Sequence, residues 1–280
     1  MTTPVSGAVA RGPFAIFRDQ YAELLRSAFL VDLQYRASIA IWIIWGITEP
    51  IISLGIWWSI AATGAVEGYT REAFARYFFG VALVNQATLS WDAWNIDRWI
   101  REGEMNYRLT RPIAPIHEAI ADNIAYKAPT ATIILTGWIV AAVFWPAVRI
   151  PFEPGRWTLA IIAIVLAAAI RFLNGYATGL LAFWTTRATA LVELQFGISL
   201  FLSGRIAPLS LLPPQVVHVA QYLWFPYVVS FPVEILTGEV ATWQEYARGF
   251  TGQVVWLVIW LLLYLLVWKR GRRHYGAVGG

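Results

Sequence analysis

The sequence has no cysteine and only two lysines, Lys127 and Lys269. The absence of cysteine excludes disulfides, thiolate nucleophiles and cysteine-ligated metal or iron–sulfur centres. Lys127 is followed by alanine and Lys269 by arginine, whereas a phosphate-binding glycine-rich loop ends in lysine and then serine or threonine. This polypeptide therefore carries no Walker-type nucleotide site of its own.

Histidine is also rare, and the three histidines His117, His218 and His274 lie in separate segments. Such a distribution does not place several metal ligands on one helix face. Ser203 and His218 superficially suggest a serine–histidine pair, but the Gly-x-Ser-Gly motif of an intramembrane hydrolase is missing. We therefore expect no catalysis, metal or cofactor in this chain.

Charged residues make up only 14% of the chain, while 58% of residues are hydrophobic and the mean hydropathy is +0.56. A soluble fold could not bury so much apolar surface. Apolar stretches of roughly 20 residues, the length of a transmembrane helix, recur along the chain. We expect an all-α polytopic membrane protein with about six transmembrane helices, at 39–61, 77–96, 119–145, 157–185, 188–201 and 251–268. The fifth is short and is expected to continue into the segment after it.

Lysine and arginine are unevenly divided between the two sides of this arrangement. The N-terminal region, the loops after the second and fourth spans and the C-terminus carry more than twice as many as the opposite side. Because basic loops stay in the cytoplasm, both termini are expected there, in a multi-pass protein of the plasma or inner membrane. The pI of 9.4 then reflects orientation and anionic headgroups of the lipid bilayer, and it does not predict nucleic-acid binding.

The chain divides into four predicted regions. Residues 1–12 lack periodicity and are expected to form a disordered tail. Residues 13–36 repeat apolar side chains at three- and four-residue steps, which predicts an amphipathic helix in the cytoplasmic headgroup plane. The six-span domain follows at 37–270, and 271–280 form a basic cytoplasmic tail.

Three of the charges inside the predicted spans are candidate functional residues. Glu49 and Arg171 lie near the middle of the first and fourth spans, where a charge costs at least about 2.5 kcal/mol. We predict that they pair, either as a structural ion pair or along a transport pathway. Glu193, two turns into the fifth span, is a candidate to line a polar cavity. The same three residues could form the relay of an ion- or proton-coupled carrier, which is the alternative function.

The segment between the second and third spans is charged and ends at two prolines, Pro112 and Pro115. One interpretation is a basic loop that only sets the topology. The other is a short cytoplasmic helix at 97–108 that docks on a soluble partner and transmits its movement. The residues that would couple the two proteins are Asp97, Arg98, Arg101, Glu102, Glu104 and Arg108.

Residues 207–236 are apolar, yet five prolines prevent a continuous helix. Pro214 is placed to open a short helix at 215–223. Because lipid cannot satisfy irregular backbone, such a segment must pack inside protein or line a cavity. We expect a re-entrant extracellular segment between the fifth and sixth spans, whose outer gate would include Ser203, Gly204, Pro208 and Pro213. An ordinary hydrophobic loop is the alternative.

Several short motifs occur in order along nearly the whole chain: IREG at 100–103, LTRPI at 109–113, AFWT at 182–185, SG at 203–204, PL at 208–209, LP at 212–213 and RHYG at 273–276. In these the chain resembles the permease subunits of ABC type-2 transporters, a class of six-span exporters. The resemblance implies an ABC ATPase subunit that binds ATP and Mg and docks on the coupling helix. It also implies a second permease, identical or related, and export of a hydrophobic or amphiphilic substrate.

Overall fold

The computed structural model describes residues 13–275 apart from 35, 65 and 67. Every regular element in these ranges is helical, as the composition predicted. The α-helices are α1 (Pro13–Gln34), α2 (Arg36–Ala61), α3 (Arg71–Thr88), α4 (Asp92–Arg101), α5 (Glu104–Leu109), α6 (Pro115–Phe144), α7 (Pro154–Gly179), α8 (Ala188–Leu202), α9 (Pro214–Ala220), α10 (Ser230–Thr237) and α11 (Trp243–His274). The predicted tail at 1–12 and residues 276–280 of the predicted basic tail lie outside the described residues.

Four helices of the described chain are long and apolar enough to cross a membrane. They cover Ala40–Ala61, Pro115–Phe144, Pro154–Phe183 and Trp243–His274, and they coincide with the predicted first, third, fourth and sixth spans. The third of them continues from α7 through a 3-10 turn at Leu180–Phe183. The chain is therefore a multi-pass, all-α membrane protein.

The predicted second span, 77–96, is wrong in its limits. The helix α3 starts at Arg71, where the side chain of Thr70 accepts a hydrogen bond from the Ala73 amide, and it ends at Thr88. A break follows, in which the Ser90 hydroxyl donates to the Asp92 carboxylate, and α4 begins as a separate helix. Serine and aspartate side chains compete with helical hydrogen bonds in this way.

Helix α3 occupies the centre of the bundle, in contact with α2, α6, α7 and α10. Both its aromatic residues, such as Phe74 and Tyr77, and its polar residues, such as Asn85 and Thr88, are buried. A helix that is enclosed by other helices does not need a lipid-compatible surface. This position explains why α3 is less apolar than the four long helices.

The fifth predicted span is the 15-residue helix α8, and the expected continuation beyond it is wrong. The Ser203 hydroxyl donates to the Ser199 carbonyl at 2.5 Å, and Gly204 adopts φ +82°. A left-handed glycine ends a helix because it can turn the chain without steric cost. The short helix expected after Pro214 is present as α9.

The broken apolar segment after α8 packs inside the protein. Helix α10 lies against α3 and α7, and most of its side chains are buried. The rings of Tyr227 and Phe231 lie over Gly252 and Gly249 of α11, where a Cβ atom would overlap them. The irregular backbone is thus covered by helices, as its composition required.

Both described ends of the chain lie at one end of the bundle. In α1, the rings of Phe17 and Tyr21 contact His117 at the start of α6, and Tyr275 after α11 contacts Phe183 after α7. The same end holds α4 and α5, and we call it the α4/α5 end. The position of α1 in the headgroup plane remains a prediction.

Helix α4 approaches α7 at backbone distance because Gly179 has no side chain. A Cβ atom there would lie 2.7 Å from the carbonyl oxygen of Ala93 and 2.9 Å from the Cβ of Ile96. The Ala93 oxygen is a backbone atom and the Ile96 Cβ is bonded to the backbone, so neither can move unless α4 moves. Close helix contact through small residues is typical of membrane bundles.

We predict that Gly179→Ala lowers the free energy of unfolding by about 1–3 kcal/mol, because α4 must move away from α7. The measurement is thermal unfolding of the purified protein in detergent. The control is Gly137→Ala in α6, which has open space around the new methyl group. It should be neutral or stabilising by up to about 1 kcal/mol, through helix propensity. Equal effects of the two substitutions would contradict the contact.

Candidate functional site

The connection between α3 and α6 is a rigid platform, formed by α4 and α5. The buried side of α4 presents Ile96, Trp99 and Ile100 to the end of α7 and its 3-10 turn. Met105 of α5 joins the same cluster and is fully buried. A displacement of α4 would therefore be transmitted to α7 through a packed interface.

Predicted coupling residues Glu104 and Arg108 tie this platform to α6. Arg108 donates from Nη1 to Glu104 Oε2 at 2.9 Å and from Nη2 to Glu118 Oε1 at 3.0 Å. Its guanidinium also lies 3.7 Å from the ring centroid of Trp99. Arg111 donates to the second oxygen of Glu118 at 3.0 Å. This network is largely shielded, so Arg108 holds the platform together.

The continuous helix predicted at 97–108 is wrong. The structure starts a helix at Asp92 and interrupts it at Gly103, whose φ is +77°, a value that glycine adopts easily. Asp97 is buried and accepts a hydrogen bond from Arg101 Nε at 2.8 Å. Its carboxylate therefore points into the platform, where a partner protein would not contact it.

The exposed side of the platform carries three of the predicted coupling residues, Arg98, Arg101 and Glu102. Tyr107 of α5 is also exposed, with 61% of its surface accessible, and Arg111 donates a hydrogen bond to its hydroxyl at 2.6 Å. Aromatic residues and arginine are enriched in protein interfaces. We call Arg98, Arg101, Glu102 and Tyr107 the platform surface. The role of its residues in coupling remains a prediction.

The predicted direct pair of Glu49 and Arg171 is wrong. Glu49 in α2 forms a short ion pair with Arg205, which follows α8. Arg171 in α7 instead donates from Nη1 to Asn85 Oδ1 at 2.8 Å and to Thr88 Oγ1 at 2.9 Å. The turn after α8 carries Arg205 into the bundle, where only 4% of it is exposed.

Glu193, the third predicted intramembrane charge, is exposed on α8. Among the described residues it has no hydrogen-bond or ion-pair partner. It does not belong to the lining of either polar cavity described below, and its role in a polar cavity remains a prediction. A carboxylate on an apolar helix needs a polar partner when it is inserted in a membrane.

The residues predicted for an outer gate lie at the end of α8 and beyond it. Ser203 and Gly204 are buried: Tyr77 donates to the Gly204 carbonyl at 2.9 Å, and the Ser230 amide donates to the Ser203 carbonyl at 2.9 Å. Pro208 is buried and Pro213 is exposed at the start of α9. The bend therefore joins α3, α8 and α10. Whether it works as a gate remains a prediction.

A polar cavity of about 780 Å³ opens at the end opposite to α4 and α5. Its lining includes Tyr69, Arg76, Glu234, Glu239 and Arg248. The hydroxyl groups of Tyr69 and Ser210 lie 2.9 Å apart. Burial raises the pKa of Tyr69 to about 12. Burial, together with repulsion from the nearby Glu234, also raises the pKa of the Glu239 carboxyl. Both groups therefore favour their neutral forms more than in water.

Comparison with protein families identifies the class of this bundle. The model of a family described as ABC-2 family transporter protein matches residues 43–279, which is most of the chain. The chain belongs to this ABC-2 transporter family. No curated protein matches the sequence. The match supports a permease subunit of an ABC transporter, the membrane part of an assembly whose ATPase is a partner protein.

The sequence analysis missed residues that form ion pairs or hydrogen bonds with charged side chains inside this ABC-2 protein. Arg205 lies in the predicted connection between the fifth and sixth spans, although most of the residues close to it in sequence are apolar. Asp92 falls inside the predicted second span. Its carboxylate accepts a hydrogen bond from the Asn123 amide at 3.1 Å, and the side-chain oxygen of Asn123 accepts one from Lys127 at 2.6 Å. Isolated polar residues in apolar stretches were the available signal.

We predict that Arg205→Gln destabilises the ABC-2 permease by about 3 kcal/mol, because the partly buried Glu49 carboxylate loses its counter-ion within a membrane-spanning helix. Glu49→Gln should be similarly harmful, and the double variant should recover much of the loss. The measurements are the yield of monodisperse protein and its thermal unfolding in detergent. Additive effects of the two substitutions would contradict a coupled pair.

Proposed function

We propose that this chain is the permease of an ABC exporter and that its ATPase docks on the platform surface. The observation that supports this most strongly is the combination of an exposed charged face with a rigid, buried opposite face. Exposed charges that only set the topology would not need to stand on a helix whose opposite face is packed against α7. The excess of arginine at the α4/α5 end favours a cytoplasmic position for this end. ATP and Mg are bound by the partner.

The platform connects a docked ATPase to two membrane helices. Helix α4 packs closely on α7 at Gly179, and Arg108 and Arg111 hold α5 to Glu118 of α6. A push on Arg98 or Arg101 would therefore move α6 and α7 together. Packed helices respond by small rigid shifts and not by local bending.

A second permease, identical or related, would cover the exposed face of α8. Glu193 on this face has no partner in the described part of the chain, and its desolvation in lipid would be costly. A polar or basic side chain of a neighbouring permease could form a hydrogen bond or an ion pair with this carboxylate. The transport route would then run between the two permeases. The apolar, aromatic surfaces on this face favour a hydrophobic or amphiphilic substrate.

An ion- or proton-coupled carrier fits the charges less well. Glu49 is occupied by Arg205, Arg171 is held by neutral oxygen atoms, and Glu193 lies apart from both on the outside of α8. A relay needs groups that exchange protons along a connected path. The family membership and the platform both favour an ATP-driven partner.

The docking proposal is tested by replacing Arg98, Arg101 and Glu102 with alanine in the tagged permease. We expect at least a tenfold loss of the co-purified ATPase, because charged interface groups set both register and association rate. The free energy of unfolding should change by less than about 0.5 kcal/mol at Arg98 and at Glu102. The change should be larger at Arg101, because the buried Asp97 carboxylate loses its hydrogen-bond donor.

The matched control replaces Arg71, Glu72 and Arg248 with alanine. These residues are also exposed, have the same net charge and lie at the opposite end of the bundle. The control protein should retain the ATPase fully. If the platform variant also retained it, the docking surface would lie elsewhere. Arg108→Ala should lower stability as well as ATPase binding.

A further inference from the structure

A small cavity of about 70 Å³ lies between α4, α7 and α8, beside the break that follows α3. Ser90, Arg171, Asn174, Gln195 and Ser199 supply its polar lining, and Trp91 and Trp94 form part of its wall. The Ser90 hydroxyl is already hydrogen-bonded to Asp92. The cavity volume corresponds to about two water molecules. It can thus hold a carboxylate or phosphate group, but not a whole lipid.

Arg171 gives this cavity a positive charge that the surrounding protein does not neutralise. Among the described residues, no carboxylate lies within ion-pair distance of Arg171, and its two hydrogen-bond partners are neutral. The charged groups that act on it are Lys127 and Arg205, which repel it, and Glu49, which attracts it. Glu49 is already paired with Arg205. An arginine in this position requires a counter-ion.

Asn174, which lines the cavity, also carries a hydrogen-bond donor without a partner. The Nδ2 atom of Asn174 is buried without a partner, and only 6% of this residue is exposed. Nearby, Nε and Nη1 of Arg205 also lack partners, and its guanidinium lies 5.0 Å from the ring centroid of Phe196, another lining residue. The one orphaned acceptor in this region, Glu49 Oε1, does not belong to the lining. Buried donors without partners are rare unless a ligand or water satisfies them.

We propose that this cavity binds the anionic head group, a carboxylate or phosphate, of an amphiphile whose tail lies along α8. This rests on the proposed function, because the exposed face of α8 would border the transport route. A single bound anion would neutralise the charge of Arg171 and accept a hydrogen bond from the Asn174 amide. Water could satisfy the amide of Asn174, but it would leave the charge of Arg171 uncompensated. A cationic head group would be repelled.

The test uses the purified full chain in a nonionic detergent, with dodecyl phosphate and dodecanoate as probes. Binding is measured by calorimetry, and dodecyltrimethylammonium is the probe of opposite charge. We expect both anions to bind and the cation to bind at least tenfold more weakly. Arg171→Gln should weaken anion binding about tenfold, which is the effect of losing one charge-assisted hydrogen-bonded contact.

Three further variants separate a head-group site from a folding defect. Arg171→Lys keeps the charge and should retain binding within about threefold of the wild type. Asn174→Leu should weaken anion binding at least threefold while Arg171 stays in place. Arg71→Gln removes an exposed arginine that lies at the opposite end and lines neither cavity, and it should bind as the wild type does. Unchanged binding in Arg171→Gln or Asn174→Leu, or equal binding of the cationic probe, would overturn the proposal.

The source of the head group is identified in a second arm. Native mass spectrometry compares the chain from bilayer discs of phosphatidylglycerol with the chain from discs of phosphatidylcholine. A phosphatidylglycerol that is retained by the wild type and lost in Arg171→Gln identifies a bilayer lipid. Binding of dodecyl phosphate without retained phospholipid identifies a free amphiphile as the ligand. These assays need no ATPase, so their failure is distinguishable from a failure of the docking experiment.

Discussion

The contact between α4 and α7 at Gly179 is the constraint on which the functional architecture depends. Because this position has no side chain, the backbone of α4 lies directly against α7, and Ile96, Trp99 and Ile100 fill the interface around it. The platform is thereby joined to a long membrane-spanning helix. Its exposed charges can act on the bundle only because its buried side cannot move independently.

The charges inside the bundle follow a different rule. Glu49 and Arg205 neutralise each other, whereas Arg171 is held by hydrogen bonds to neutral side chains. Hydrogen bonds orient a guanidinium but do not remove the cost of its charge in a medium of low dielectric. Among the described residues, Glu49 and Arg205 therefore form an ion pair, whereas Arg171 is a cation beside a cavity. The proposed head-group site would give Arg171 a binding role and leave a structural role to the ion pair.

Two ends of the same bundle carry distinct polar surfaces. At the α4/α5 end, arginine and glutamate side chains form a surface network on packed aromatic residues. At the opposite end, the broken segment after α8 encloses a cavity with glutamate and tyrosine side chains. Between them, α3 runs through the centre, and its first turns line this cavity. The proposed function would use the α4/α5 end for energy input and the opposite end for release of the substrate.

The sequence alone determined the all-helical membrane class, four long spans, the broken segment after α8 and the presence of a charged connection before α6. These features depend on local composition, length and proline positions, which physical chemistry limits strongly. The tertiary structure decided which charges meet, where α3 ends and which face of α4 is buried. Arg205 replaced Arg171 as the partner of Glu49 because a turn after α8 folds back into the bundle, and no periodicity in the sequence records that turn. Contacts between distant segments depend on how helices pack, and packing is a property of the whole chain.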